Sequence, residues 1–163
     1  MVNQIVTDRL RLRQLDAGEA RALLDGRAQP RWPWIRGYPI EGTLIAVEAF
    51  LRQVSAGDEP GAYGVYQLIR QKDSLVLGDI GFHAPPDRTG MVTVGYGLAP
   101  AARGQGYATE ALRGIIGWAL AQPGVRRVEA DTAHGNLASR RVMERSGMRF
   151  VGQSDLLRFY RYP

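Results

Sequence analysis

Residues 91–132 constrain the fold more tightly than any other part of the chain. Met91 to Leu98 (MVTVGYGL) is a run of strand-forming residues that stops at Ala99-Pro100, because proline cannot donate to a sheet ladder. A long helix follows: Ala108, Ala111, Leu112, Ile115, Ile116, Ala119 and Leu120 fall on one apolar stripe, and Pro123-Gly124 ends it. Val125 to Thr132 is a second strand. A strand–helix–strand unit is parallel and right-handed, so the sheet must contain a parallel pair.

The turn that opens this helix is Arg103-Gly104-Gln105-Gly106-Tyr107-Ala108. Small residues at 104, 106 and 108 let a ligand approach the backbone closely. The first N–H groups of a helix have no internal partner, and the helix dipole adds positive potential there. Such a turn suits a diphosphate. It lacks Gly-Lys-Ser/Thr, which excludes a nucleotide-hydrolysing P-loop, and it lacks the full Gly-x-Gly-x-x-Gly of dinucleotide folds.

The flanking segments supply more strands and helices. Val6 to Leu15 alternates apolar and polar residues as a half-buried strand does. Asp16 with Glu19 makes a capping box for a helix stopped by Gly26. Residues 27–40 form a loop rich in aromatics and proline, with Trp32, Trp34 and Tyr38. Thr43 is placed to cap a second helix, ended by Gly57. Ala62 to Arg70 and Ser74 to Phe82 form a hairpin, and the turn Pro85 to Gly90 leads into Met91. Asn136 caps a last helix closed by Gly147, and Phe150 to Gly152 and Leu156 to Tyr162 are two final strands.

With 163 residues and 18.0 kDa, the expectation is one domain, 1–163. Hydrophobic residues at 45% and charged residues at 23% exclude a disordered chain. The absence of cysteine excludes a disulfide scaffold and a cysteine nucleophile, and with only His83 and His134 no metal site is expected. No stretch reaches the ~18 apolar residues of a membrane span, and Met1 to Leu12 has no signal-peptide core, so a cytoplasmic protein is expected. The net charge of +5 is uneven: residues 1–81 carry ten basic and ten acidic groups, residues 82–163 eleven and six. An anionic partner is therefore expected in the C-terminal half.

Two segments carry a family resemblance. Val94-Gly-Tyr-Gly-Leu-Ala-Pro100 followed by Arg103-Gly-Gln-Gly-Tyr-Ala-Thr-Glu-Ala-Leu112 resembles the acetyl-coenzyme A motif of the GNAT acetyltransferase superfamily. Asn136-Leu-Ala-Ser139-Arg140-Arg141-Val142 with Ser146-Gly-Met-Arg-Phe-Val-Gly152 resembles the second signature of its RimJ/RimL branch. The resemblance implies an α+β (mixed α/β) fold: a mostly antiparallel twisted sheet of about seven strands, a splayed parallel pair and about four helices. It implies acetyl-CoA as cosubstrate and an amine acceptor, either a protein N-terminus or a small molecule. Backbone groups of Arg103, Gly104, Gln105, Gly106, Tyr107, Ala108 and Thr109 would hold the diphosphate. Tyr96, Gly97 and Leu98 would line the pantetheine arm, with the Leu98 N–H polarising the thioester carbonyl. Asn136 would bond the pantetheine, and Ser139 would lie near the sulfur.

The amine must be neutral to attack, so a base helps. Many relatives carry a glutamate on the motif strand, where this chain has Thr93, which cannot act as one. Three replacements are available, Asp79, Glu129 and His134; direct attack without a protein base is also open. Trp32, Trp34 and Tyr38 are the first candidates for acceptor contacts, weighed against plain core packing. Metal: none. A monomer or homodimer is expected, without membrane or nucleic acid. The competing reading is an acyl-CoA-binding sensor that has lost catalysis, supported only by Thr93.

Overall fold

Residues 3–163 are described by a computed structural model; of the N-terminal stretch considered for a signal peptide, Met1 and Val2 lie outside the described residues. The elements are β1 (Gln4–Val6), β2 (Leu10–Gln14), α1 (Ala17–Leu24), α2 (Glu41–Ser55), β3 (Val65–Arg70), β4 (Val76–Phe82), β5 (Met91–Leu98), α3 (Tyr107–Leu120), β6 (Arg127–Ala133), α4 (Leu137–Arg145), β7 (Arg149–Gln153) and β8 (Leu157–Tyr162). The eight strands form one sheet in the order β1-β2-β3-β4-β5-β6-β8-β7, antiparallel except for the pair β5–β6.

The count is one strand above the expectation. The segment Val6 to Leu15 is not one strand but the end of β1, a turn at residues 7–9 and β2, closed by the Thr7 N–H donating to the Leu10 carbonyl at 2.9 Å. Val6, Leu10 and Leu12 keep the same parity on either side of the polar residues 7–9, which is why the sequence pattern hides the turn.

Helices cover both faces of the sheet. The apolar stripe of α3 (Ala111, Leu112, Ile115, Ile116, Ala119) and Met143 of α4 pack on one face with Leu10, Leu12, Leu68, Ile80, Val92, Val94, Val128 and Tyr160. Ala20 and Leu23 of α1 and Val47 and Phe50 of α2 pack on the other with Val65, Ile69 and Val76. Burial of this kind contributes roughly 1.5–3 kcal/mol for each large side chain. The capping box at Asp16 and Glu19 is present, and Gly26 follows α1 with φ +75°. Thr43 is a correction: the N-cap of α2 is Ile40, without a side-chain bond, and Thr43 sits fully buried inside the first turn. Its hydroxyl has a tertiary partner instead, which places it in the site described next.

Candidate active site

Strand β5 runs beside two partners that release it at different points. Its antiparallel ladder with β4 continues to Leu98, opposite Gly78. Its parallel ladder with β6 stops at Val94, opposite Ala130. Residues 95–98 are therefore held from one side only, and β6 turns away to pair with β8 as far as Ala133. Backbone direction alternates along a strand. The Ala99 N–H donates to Leu77 on the β4 side at 2.9 Å. Leu98 and Tyr96 therefore direct their N–H and C=O groups into the gap toward β6. The Leu98 carbonyl accepts from Arg103 Nε at 3.1 Å, so it is the Leu98 N–H that faces the gap as a donor.

The mouth of this gap is the glycine-rich turn. Gly104 and Gly106 have φ of +77° and +83°, left-handed values that other residues adopt only with strain, and Gly106 is the N-cap of α3. The first bond that closes the helix is Glu110 N–H to Gly106 O at 3.1 Å. The N–H groups of residues 104–109 precede it and carry no intrahelical bond. They are the donor set a diphosphate requires, and the residues present fit that group.

Arg9, from the turn between β1 and β2, braces this loop and was not found by sequence reasoning. It donates from Nη1 to the Gln105 carbonyl at 2.9 Å and pairs through Nε with Glu110 at 2.7 Å. Its guanidinium lies 4.3 Å from the centroid of the Tyr107 ring. The Thr7 hydroxyl also donates to Glu110, at 2.6 Å. Burial raises the Glu110 carboxyl, but the bonds from Thr7 and Arg9 outweigh it and hold the group below its ordinary range.

On the α2 face lies a cavity of about 320 Å³ between α2, β4 and β5. Ile40, Ile45, Ala46, Ala49, Phe50 and Phe82 give it apolar walls, and Gly95 and Gly97 line it from β5. A Cβ at Gly97 would stand 2.6 Å from Ile40 Cδ1, so the end of that side chain would have to shift. Asp79, the cross-strand neighbour of Gly97, lines the same cavity with only 5% of its surface exposed. The Thr43 hydroxyl donates to Asp79 Oδ2. No cation pairs with Asp79 among the described residues. Burial pushes its carboxyl up to about 6, against the lowering effect of the Thr43 and Tyr38 hydroxyls. Its side chain is thus one residue pair from the Leu98 N–H, on the face where a second reactant can enter.

The other candidates stand elsewhere. Glu129 is the partner of Thr93 at the closed end of the β5–β6 pair and bonds Arg161 at 2.9 Å. From four residues of strand rise and two strand spacings, its backbone is roughly 16 Å from that of Asp79. His134 contacts the Ser154 carbonyl at 2.8 Å, tying two turns together. Trp32 is buried in the α1–α2 core and Trp34 packs against it; neither lines the cavity. Tyr38 is buried too, with its phenol beside Asp79 and Gln67; burial and the Asp79 charge push that phenol well above its ordinary value, so it stays protonated. Asn136 caps α4, accepting from the Ser139 N–H at 3.1 Å. Across the gap, Ser139 Oγ lies 2.8 Å from the Tyr96 hydroxyl. Burial pushes the Tyr96 phenol up to about 12, while its bond to Ser139 lowers it. His83 lines the cavity beside Gly95 without having drawn a functional reading from the sequence; position on a turn gives no signal of what it faces.

A mixed sheet whose parallel pair opens beside a glycine-rich helix start with free N–H groups is the fold of an acyl-coenzyme A transferase. The acetyltransferase (GNAT) domain matches residues 9–149, and the chain belongs to that family. It is an N-acetyltransferase with acetyl-CoA as cosubstrate. It is 28% identical over 149 residues to the uncharacterized N-acetyltransferase YjdG of Bacillus subtilis, covering 86% of each chain. It is similar in structure to an acetyltransferase from Agrobacterium tumefaciens, with a TM-score of 0.70, 23% identity and coverage of 100% and 95%. It is likewise similar to RimL, a ribosomal L7/L12 alpha-N-protein acetyltransferase, with a TM-score of 0.69, 22% identity and coverage of 99% and 94%. Among the described residues no helix is long and apolar enough to cross a membrane.

Proposed function

We propose that the acetyl group passes directly to a primary amine that enters from the α2 face while the thioester lies in the gap beside Leu98, and that Asp79 takes the amine's proton. The single observation that supports this most is Asp79 itself. A buried carboxylate with no counter-ion is costly, and here it lines a cavity that also takes in Gly95, Tyr96 and Gly97 of β5, the strand beside which the thioester is proposed to lie. An incoming ammonium supplies the missing cation. With a carboxyl at about 6, Asp79 is ionised at neutral pH and close enough to that pH to accept a proton and release it again.

The remaining roles follow from position. The Leu98 N–H donates to the carbonyl oxygen as negative charge develops on it. The N–H groups of 104–109 carry the diphosphate, and Asn136 stands beside the pantetheine. As the C–N bond forms and the C–S bond breaks, the Tyr96–Ser139 pair supplies a proton to the sulfur. Its Tyr96 member, pushed up to about 12, is protonated at any working pH. The ammonium sheds two protons in all, one to Asp79 before attack and one to solvent as the C–N bond forms; Asp79 then passes its proton to solvent, solvent returns one to the Tyr96–Ser139 pair, and one net proton is released per turnover. Glu129, held by Arg161, has a structural part in this reading.

Asp79→Asn tests it. The expected result is a kcat lowered ~10²–10⁴-fold with the Kd for acetyl-CoA unchanged, the usual size for loss of a general base. A kcat within a few-fold of wild type would leave positioning alone as the source of rate.

A further inference from the structure

We infer that the acceptor is a compact amine with an apolar body and a single positive charge, not a zwitterionic amino acid, a polyamine or a peptide N-terminus; this rests on the reading of Asp79 and its cavity as the acceptor site. Three observations carry it. The walls are apolar: Ile40, Ile45, Ala46, Ala49, Phe50 and Phe82. Asp79 is the one acidic side chain in the lining, and no lysine or arginine lines it. The volume, about 320 Å³, holds about ten non-hydrogen atoms at the ~30 Å³ that each water takes in the liquid.

Charge and hydrogen bonding then exclude the alternatives. A free amino acid would bring a carboxylate into a cavity with no cation to receive it. A diamine would bring a second ammonium with no second carboxylate. A peptide N-terminus would bring several backbone groups into a lining whose neutral polar side chains are Gln53, His83 and Tyr96; the Gln53 amide already donates to the His83 backbone carbonyl at 2.7 Å and the Tyr96 hydroxyl is engaged by Ser139, which leaves the His83 ring alone to serve them. An apolar body has none of these needs, and each buried methylene adds about 0.8 kcal/mol of transfer free energy.

The test is release of coenzyme A thiol from acetyl-CoA with matched acceptors: 2-phenylethylamine, isopentylamine, phenylalanine, 1,4-diaminobutane and a tetrapeptide beginning with phenylalanine. The expected result is a kcat/KM at least tenfold higher for the first two than for the rest. A higher value for the amino acid, the diamine or the peptide overturns the inference. If Asp79→Asn loses activity on such a winner as well, the site reading stands and only the substrate class falls. Equal activity of wild type and Asp79→Asn on every acceptor overturns both. Ala49→Leu narrows the cavity without touching the coenzyme loop. It should lower kcat/KM for 2-phenylethylamine about tenfold and leave the KM for acetyl-CoA as it was; unchanged selectivity would place the acceptor outside this cavity.

Discussion

Asp79 is the base of the proposed reaction, and its burial has a consequence for stability that is separate from catalysis. Unfolded, the group ionises near 3.8; folded, near 6. Between those values the native state binds more proton than the unfolded one, so stability falls as pH rises through this window and levels off above it. A difference of about two units corresponds to about 3 kcal/mol as an upper figure. Asp79→Asn should therefore flatten the dependence between pH 4 and 6 and unfold at higher urea than wild type at pH 7, by ~1–3 kcal/mol. Parallel pH profiles of the two proteins would show that Asp79 is not the buried, unpaired carboxylate described. Nothing local in the sequence announces its partner: Thr43 is 36 residues away and has the spacing of an ordinary helix cap. A hydroxyl near a helix start serves a cap and a tertiary bond equally well, and only packing decides between them.

At the scale of elements, the start of α3 and the turn between β1 and β2 act as one unit. The glycine turn, the apolar stripe of α3, the Asn136 cap and the capping box at Asp16 are legible in the sequence because each is set by residues a few positions apart. The brace from Arg9 to Glu110 joins positions 101 apart and leaves no local trace. Glu110 would otherwise place a negative charge one turn from the proposed diphosphate, and Arg9 neutralises it while fixing the Gln105 carbonyl. Arg9→Ala should raise the KM for acetyl-CoA about tenfold yet leave kcat/KM for S-acetylpantetheine, which has no diphosphate, within twofold of wild type. Equal losses on both donors would reduce Arg9 to a general fold contact. Gly106→Asp puts a carboxylate among the same N–H groups and should abolish coenzyme binding by calorimetry with the circular dichroism spectrum retained. Full affinity in that variant would move the diphosphate elsewhere.

Across the whole molecule, the parallel crossover is what the sequence shows most clearly, since a strand–helix–strand unit admits one handedness. The opening of that pair is not visible in the residues of β5 and β6 themselves. Beyond Ala130, β6 leaves β5 but keeps its ladder with β8, a pairing between distant segments. The result is a sheet with a gap on one side of β5 and a cavity on the α2 face, the proposed places of donor and acceptor, an arrangement in which both substrates would be bound together. The chain has no cysteine to carry an acyl group between two half-reactions. The most direct test is initial-rate kinetics with acetyl-CoA and the preferred amine both varied. Double-reciprocal lines that intersect are the result predicted for direct transfer in a ternary complex; parallel lines would show an acyl-enzyme and contradict it.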